Sequence, residues 1–231
     1  MYDVELVKVE PLNDKIISFS FQKPPGFHYI AGQFIELILF HKEPDDRGIK
    51  RWFTLSSSPS EELLTITTKF STQNSSSLKS ALWLLNIGQT VKLTDAMGDF
   101  VLPKNNLRPL LMVAGGIGIT PVHSMLRWTV SQNEKRTIDV MYGVHSENEI
   151  VFEKEIRSAA NLEIVVSDPV NWRGKTGILN SPMVFPSIKK EHLVYLSGPE
   201  TMIEQLFYDL KLAGVPPENL VTDFFPGYKE I

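Results

Sequence analysis

The stretch from Leu110 to Trp128, LLMVAGGIGITPVHSMLRW, constrains the fold of this chain more than any other part of it. Its start is continuously apolar, which is typical of a strand buried on both faces of a parallel sheet. The glycine-rich turn GGIG follows, and Thr120 can then cap a helix through its hydroxyl, with Pro121 at the first helical position. The order of strand, turn and helix predicts one unit of a parallel α/β sheet.

The glycines of this turn, Gly115, Gly116 and Gly118, indicate a binding site for an anion. Free backbone N–H groups and the helix dipole meet at such a turn, and a pyrophosphate is a natural ligand for them. A tight turn that binds nothing is the alternative, because Pro121 replaces the third glycine of the dinucleotide fingerprint. The stretch alone leaves both interpretations open.

Residues before Pro103 alternate between short β-rich segments and turns. This near-regular spacing predicts a six-stranded antiparallel barrel, closed or nearly closed, with one helix across an end. The predicted strands are 4–9, 16–21, 33–40, 51–56, 63–68 and 90–95, and the predicted helix is 77–86. Asp45 and Asp46 fall in a turn between two of these strands, where we expect them to be exposed and solvated.

The pattern changes after Pro103, where apolar strands alternate with helices. Such alternation predicts a Rossmann-like parallel α/β sheet. The predicted strands are 110–114, 138–142, 162–166, 193–197 and 220–223, and the predicted helices are 120–132, 150–158 and 201–213. We therefore place a β-barrel domain at residues 1–105 and an α/β domain at residues 106–231.

The composition of the chain excludes several classes of function. The chain has 231 residues, a net charge of −4 and no cysteine. The negative charge argues against a nucleic-acid partner, and the lack of cysteine excludes thiolate chemistry and cysteine-ligated metal centres within the chain. The histidines are scattered without metal-ligand spacing, so we expect no metal. The chain has no apolar run of membrane-spanning length and an acidic N-terminus, which predict a cytoplasmic protein without membrane insertion.

Four further stretches carry groups suited to a flavin or a nucleotide. Residues 51–59 place Arg51 and Phe53 on one strand face, where a guanidinium can bind a diphosphate and a ring can stack on a heterocycle. An edge strand with Phe53 in the core is the alternative, and the serines of 75–79 are good helix caps in any protein. The other two stretches are LSGPETM at 196–202 and DFFPGY at 223–228.

Taken in order, these stretches resemble the ferredoxin–NADP reductase superfamily over nearly the whole chain. The matching motifs are Arg-x-aromatic-Thr at 51–54, the serine-rich helix start at 75–79, Gly-Gly-x-Gly-x-Thr-Pro at 115–121, Gly-Pro-x-x-Met at 198–202 and the terminal aromatic stretch. The resemblance implies an FAD-binding barrel followed by an NAD(P)-binding domain, without an iron–sulfur domain. The chain departs from the family at Ser197, where cysteine is usual, and at Phe224, where many members carry an acid.

The resemblance also implies which residues serve the two cofactors. Catalytic positions beside the reacting atoms fall to Thr54, Ser197 and Tyr228. The implied FAD-binding residues are Arg51, Trp52, Phe53, Thr54, Thr67, Thr68, Lys69, Ser76, Ser77, Lys79, Phe225 and Tyr228. The implied residues for NADH or NADPH are Gly116, Gly118, Thr120, Pro121, Ser197 and Met202. Phe53 would stack on the isoalloxazine, and Arg51 would contact the FAD pyrophosphate.

The implied activity is hydride transfer from the nicotinamide to flavin N5, followed by electron delivery to a separate carrier of ferredoxin or rubredoxin type, or to an oxygenase component. Reduction of free flavin or of small molecules, and a non-catalytic subunit of a larger redox complex, are the alternatives. Glu147 and Glu149 favour NADH because they would repel a 2′-phosphate, whereas Arg173 and Lys175 would favour NADPH if their loop folds over.

Overall fold

The computed structural model describes residues 1–70 and 75–225, and the chain divides into two units, Met1–Val101 and Leu102–Ile231. The boundary predicted at residue 105 lies within the second unit, near its start. Among the described residues, no helix has the length and the apolar character that crossing a membrane requires.

The first unit is an antiparallel barrel. Its elements are β1 (Tyr2–Pro11), β2 (Ile16–Gln22), β3 (Phe34–Ile38), β4 (Lys50–Thr54), β5 (Leu63–Lys69), α1 (Ser77–Trp83) and β6 (Thr90–Leu93). The strands form a six-stranded sheet in the order β4-β3-β6-β1-β2-β5. An antiparallel bridge between Leu55 and Ile66 links the end of β4 to β5, so the sheet closes on itself. The predicted six-stranded antiparallel barrel is confirmed.

The barrel core follows from the alternation of side chains along the strands. In β3, Ile35 and Leu37 are buried while their neighbours are partly exposed. Among the side chains that meet these two in the core are Phe19, Phe21, Phe53, Leu55, Leu64 and Ile66. Burying a large apolar side chain contributes about 1.5–3 kcal/mol, so this cluster is the main source of stability in the unit.

Helix α1 packs on the barrel core through Leu78 and Leu82. The Ser76 side chain caps its start by accepting a hydrogen bond from the Lys79 N–H at 3.3 Å. The helix ends at Trp83 with Leu84 as its C-cap, earlier than the predicted residue 86, and the chain turns at Gly88, which has a φ of +92°.

The second unit is a parallel α/β sheet. Its elements are β7 (Leu110–Gly115), α2 (Ile119–Ser131), β8 (Ile138–Val144), α3 (Glu153–Ala159), β9 (Asn161–Val166), β10 (Lys175–Thr176), α4 (Ser181–Val184), β11 (Leu193–Pro199), α5 (Glu200–Leu212) and β12 (Leu220–Phe225). The strands form a six-stranded sheet in the order β10-β9-β8-β7-β11-β12, with every pair parallel. The predicted Rossmann-like domain is confirmed.

The register of this sheet brings the carboxyl ends of its central strands together. Strand β7 is buried along its whole length, as its apolar sequence predicts. On β11, Ser197 pairs with Ala114 of β7 on one side and with Asp223 of β12 on the other. Ligands of open α/β sheets bind beside such strand ends, so this edge positions the candidate site of the unit.

Candidate functional site

Arg51 on β4 is the centre of the candidate site in the first unit. Its Nη2 donates to Asp45 Oδ1 at 2.6 Å, and its side chain is only 14% exposed. Its Nη1 donates to the backbone carbonyls of Arg47, Gly48 and Lys50 at 2.7, 3.2 and 2.6 Å. Its Nε is buried and has no hydrogen-bond partner among the described residues. A loop therefore holds the guanidinium in place while one of its donors stays unused.

Asp45 connects Arg51 to the first residue of α1. Asp45 Oδ2 accepts a hydrogen bond from the Ser77 N–H at 2.9 Å, and the Asp45 N–H donates to Ser77 Oγ at 2.8 Å. Burial raises the pKa of the Asp45 carboxyl, but the Ser77 N–H and the Arg51 guanidinium outweigh burial and lower the pKa to about 2. The prediction of a solvated Asp45 was wrong, because composition gives no sign that a turn acid will find two donors.

Two residues predicted from separate motifs, Arg51 and Ser77, thus contact one carboxylate. A carboxylate carries the negative charge and the acceptor oxygens that a phosphate group also presents to such donors. His41 Nε2 lies 2.9 Å from Ser77 Oγ and completes this group of side chains, which we call the anion cluster: His41, Asp45, Arg51 and Ser77. The donors of the anion cluster fit an oxyanion ligand such as a diphosphate.

Other residues predicted to hold the flavin bond to the barrel itself. Ser76 caps α1, and Lys79 is 7% exposed with its Nζ donating to the Lys69 carbonyl at 2.8 Å. The backbone of Lys69, at the end of β5, is therefore tied to the first turn of α1. Contact of these three residues with a flavin remains a prediction.

The two threonines predicted on β5 are buried. Thr67 Oγ1 lies 2.8 Å from Ser18 Oγ and 2.8 Å from Ser56 Oγ, so its hydroxyl has partners within the barrel. Thr68 is 2% exposed. This arrangement supports the barrel wall, and a role of either threonine toward the ribityl chain remains a prediction.

The aromatic motif on β4 divides between the core and the surface. Phe53 belongs to the barrel core, which is the alternative that the sequence left open, and its stacking on a flavin remains a prediction. Trp52 is 54% exposed, with its ring centroid 5.7 Å from that of Phe34. Thr54 is buried, and its Oγ1 has no hydrogen-bond partner among the described residues. Thr54 is thus a desolvated hydroxyl next to the strand end.

The glycine turn lies at the carboxyl edge of the sheet in the second unit. Gly116 has a φ of +53°, and a Cβ placed there would meet nothing within 4 Å. A Cβ at Gly118 would instead overlap the carbonyl oxygen of Ser197, and a Cβ at Gly115 would lie 2.6 Å from the Met202 sulfur. Close packing therefore requires two of the glycines, while Gly116 leaves open space around the backbone.

The start of helix α2 differs from the prediction. A 3₁₀ turn at Gly116–Gly118 runs directly into the helix, which begins at Ile119 with Gly118 as its N-cap. Thr120 Oγ1 donates to the Ile117 carbonyl at 3.0 Å, so the prediction that Thr120 caps the helix was wrong. Pro121 is the third helical residue instead of the first. Within the described residues no side chain caps this helix start, and the Ile119 N–H donates to the Gly116 carbonyl of the 3₁₀ turn.

Ser197 and Met202 lie beside the glycine turn, as the motif order predicts. Ser197 is 0% exposed, and its Oγ has no hydrogen-bond partner among the described residues. Asp223, its neighbour across the β11–β12 pair, has a pKa raised to about 6 by burial. Asp223 falls within one of the sequence motifs but had no predicted role, because its burial is visible only in the folded chain.

The last predicted residues concern the end of the chain. Phe225 is the final residue of β12 and pairs with Pro199 of β11. Tyr228 lies outside the described residues. The predicted roles of Phe225 and Tyr228 beside a flavin stay predictions.

The loop proposed to select the coenzyme is held by one carboxylate. Glu147 accepts hydrogen bonds from the Val170 N–H at 3.2 Å and from the Asn171 N–H at 2.6 Å. The Asn171 N–H is the main reason that the pKa of Glu147 is lowered. Lys175 pairs with Glu163 at 2.7 Å. The loop that carries Arg173 therefore does fold toward Glu147, but Lys175 has an acidic partner of its own.

Comparison with known proteins agrees with this architecture. Residues 112–206 match the family described as the oxidoreductase NAD-binding domain. Flavohemoprotein A of Dictyostelium discoideum is 26% identical over 232 residues, covering 94% of this chain and 58% of that protein. The chain thus spans little more than half the length of this relative.

Two solved structures share the fold of this chain. A ferredoxin NADP⁺ reductase from Neisseria gonorrhoeae with bound FAD and NADP has a TM-score of 0.82 at 18% identity, covering 96% of this chain and 98% of that chain. The ferredoxin reductase in carbazole 1,9a-dioxygenase has a TM-score of 0.80 at 20% identity, covering 96% of this chain and 68% of that chain.

Proposed function

We propose that the chain is a two-domain member of the ferredoxin–NADP reductase superfamily and an FAD-dependent NAD(P)H oxidoreductase. In this proposal FAD binds to the barrel, and the nicotinamide nucleotide binds to the α/β unit. The observation that carries it is the convergence of Arg51 and Ser77 on one carboxylate. These donors come from separate sequence motifs, and the resemblance assigns both motifs to the flavin.

The barrel residues have distinct tasks toward FAD. Arg51 supplies Nη2 and its unused Nε, and Ser77 supplies its N–H, to the pyrophosphate. The buried Thr54 hydroxyl, which lacks a protein partner among the described residues, is available to a polar atom of the flavin ring. Leaving such a hydroxyl unsatisfied costs about 1–3 kcal/mol, so a ligand that satisfies it gains affinity.

The second unit binds the nicotinamide nucleotide at the glycine turn. The open space at Gly116 admits a pyrophosphate to the backbone, and the first turn of α2 provides N–H groups without a side-chain cap. The buried Ser197 hydroxyl also has no partner in the described part of the chain, so, like that of Thr54, it is available to a polar atom of the ligand. We assign Ser197 to the nicotinamide end of this ligand.

The cofactors supply the redox chemistry, with a hydride passing from the nicotinamide to flavin N5. The chain binds and orients them and keeps water from their reacting atoms. Thr54 and Ser197 are the buried polar groups that this proposal places beside those atoms, so they fix orientation instead of exchanging protons.

Coenzyme choice depends on the loop held by Glu147. Its carboxylate is ionised and fixed by two backbone N–H groups, and a 2′-phosphate approaching it would be repelled. Arg173 is exposed on the neighbouring loop and has the opposite effect. Because Glu147 is fixed beside this loop and Lys175 is paired with Glu163, so that Arg173 alone opposes Glu147, we favour NADH over NADPH.

The electron acceptor in this proposal is a separate protein, a ferredoxin-type or rubredoxin-type carrier or an oxygenase component. A solved structure with the same fold is a ferredoxin reductase in a dioxygenase system, which supports this class of partner. Reduction of free flavin or of a small molecule uses the same residues without a partner. A non-catalytic nucleotide-binding subunit is the remaining alternative.

The decisive experiment is anaerobic stopped-flow reduction with NADH and NADPH in parallel. We expect a yellow protein that bleaches faster with NADH. Bleaching rules out the non-catalytic subunit, and a colourless protein that retains no FAD after free flavin is removed contradicts the proposal. Cytochrome reduction with and without an added carrier protein then separates the two acceptor classes, since carrier-independent turnover counts against a protein partner.

Substitution of Arg51 tests the flavin site directly. Arg51→Ala should release FAD and lose the yellow colour, whereas Lys50→Ala removes an exposed cation from the same strand and should keep it. Full flavin occupancy in Arg51→Ala would refute the assigned role.

A further inference from the structure

We propose that Asp45 is an intramolecular competitor of the FAD pyrophosphate, and that cofactor binding displaces its carboxylate from Arg51 and Ser77. The inference rests on the proposed function, because it requires that FAD binds at these two donors. It makes Asp45 a determinant of flavin affinity, in a part of the chain that the family motifs do not include.

The donors at this position are already in use. Arg51 Nη2 donates to Asp45 Oδ1 at 2.6 Å, and the Ser77 N–H donates to Asp45 Oδ2 at 2.9 Å. A phosphate group that took either donor would lie beside the Asp45 carboxylate, and two anions at such a distance repel each other. The carboxylate and the pyrophosphate therefore exclude each other.

Asp45 is not needed to place Arg51. The carbonyl of Lys50, the first residue of β4, holds Nη1 of the guanidinium at 2.6 Å independently of Asp45, whereas the carbonyls of Arg47 and Gly48 lie in the same loop as Asp45. Loss of the carboxylate contact consequently leaves the guanidinium oriented. This distinguishes a competitor from a residue that merely positions the arginine.

The segment that carries Asp45 can move without breaking the barrel. It lies in the loop between β3, which ends at Ile38, and β4, which begins at Lys50. No strand pairing within the described barrel includes Asp45. Gly48 adopts a φ of +68°, and a Cβ added there would meet no atom within 4 Å, so the turn is open on that side.

The test compares FAD affinity in Asp45→Asn and Asp46→Asn. Both substitutions remove one negative charge from the same loop, but Asp46 is exposed, and in the described part of the chain it is Asp45 that accepts the hydrogen bonds from Arg51 and Ser77. Fluorescence titration of the flavin-free full chain with FAD gives Kd for each. We expect Kd to fall about tenfold in Asp45→Asn, as loss of one charge-assisted pair implies, and to stay within about twofold in Asp46→Asn.

Hydrogen exchange of the wild-type chain provides a second readout, independent of any substitution. If FAD displaces Asp45, its addition should speed exchange at the Asp45 N–H, which donates to Ser77 Oγ. An FAD affinity that is unchanged or weaker in Asp45→Asn, or slower exchange at Asp45 on FAD addition, overturns the inference while leaving the proposed function intact. Failure of the wild type and of both variants to bind FAD overturns the proposed function, and the inference with it.

Discussion

At the scale of single residues, two buried hydroxyls stand out. Thr54 Oγ1 and Ser197 Oγ have no hydrogen-bond partner in the described chain, although each is almost completely buried. An unsatisfied buried hydroxyl lowers the free energy of unfolding by about 1–3 kcal/mol. A side chain with a purely structural role would not carry such a group. The proposed function places each hydroxyl beside a cofactor, so it implies that stability and function oppose each other at these positions.

This opposition predicts the effect of Thr54→Val. We expect the free energy of unfolding to be about 1 kcal/mol higher for the variant in flavin-free protein, because valine removes the unsatisfied hydroxyl at equal shape. Flavin reduction by NADH should slow at the same time. Urea unfolding and stopped-flow absorbance measure the two effects.

Thr67→Val is the matched control for that prediction. Its hydroxyl contacts Ser18 and Ser56, so the same substitution should destabilise the protein by about 1 kcal/mol. Equal destabilisation by both substitutions would show that Thr54 has a partner in the folded protein.

Motif order made Thr54, Arg51, Ser77 and Ser197 candidate site residues, but it gave no role to Asp45. An acid in a turn is usually solvated, and only the folded loop shows that Asp45 meets Arg51 and Ser77. The same reasoning gave Thr120 a capping role, because motif spacing does not reveal that a 3₁₀ turn leads into the helix two residues earlier than predicted.

At the scale of elements, the glycines of the turn differ in their roles, although they belong to one sequence motif. Gly118 lets α2 approach β11, whereas Gly116 supplies a left-handed backbone with open space around it. The strands and helices of this region were predictable because their apolar patterns are long. Strand β10, at Lys175–Thr176, and helix α4, at Ser181–Val184, were not, because elements this short have no readable period.

Alanine at the two glycines should separate these purposes. Gly118→Ala forces its Cβ into the Ser197 carbonyl, so we expect a loss of several kcal/mol in the free energy of unfolding. Gly116→Ala meets no atom and bears only the strain of its φ of +53°, about 1 kcal/mol.

The order of the two variants in coenzyme affinity should differ from their order in stability. Thermal unfolding measures stability, and NADH titration of folded Gly116→Ala measures whether the added methyl blocks a ligand. Comparable destabilisation by both substitutions would contradict the division of roles.

At the scale of the whole molecule, each unit has its own core. The barrel cluster runs from Val4 to Leu93, and a cluster of the α/β unit runs from Leu111 to Leu220. The change in the sequence pattern after Pro103 made this division predictable, since short antiparallel strands and alternating strands and helices have different hydrophobic patterns. We expect calorimetry to resolve two transitions, with FAD raising the temperature of only one of them. A single transition that shifts as a whole with FAD would contradict independent cores.

Asp223 makes a contribution to stability that decreases as the pH rises, which is the opposite of the usual contribution of a carboxyl group. The pKa of Asp223 is about 6 in the folded protein, above the ordinary value of 3.8, because burial disfavours its charge. The folded chain therefore retains this proton between about pH 4 and pH 6 while the unfolded chain loses it, so this contribution to stability falls as the pH rises through 6.

Asp223→Asn should remove that contribution. We expect the variant to be more stable than the wild type at pH 8, by on the order of 1 kcal/mol, and to show no such gain at pH 4. Thermal unfolding across this range checks the sign. A gain of equal size at both pH values would mean that ionisation of Asp223 is not the cause.

The contact between Glu147 and the backbone of Val170 and Asn171 has a consequence for protein engineering. Exchanging Glu147 for a basic residue, the obvious way to admit a 2′-phosphate, would also detach the segment that this carboxylate anchors. Under the proposed function, changing the coenzyme preference would therefore require the redesign of two loops together, because Glu147 would repel a 2′-phosphate and also holds the segment of Val170 and Asn171.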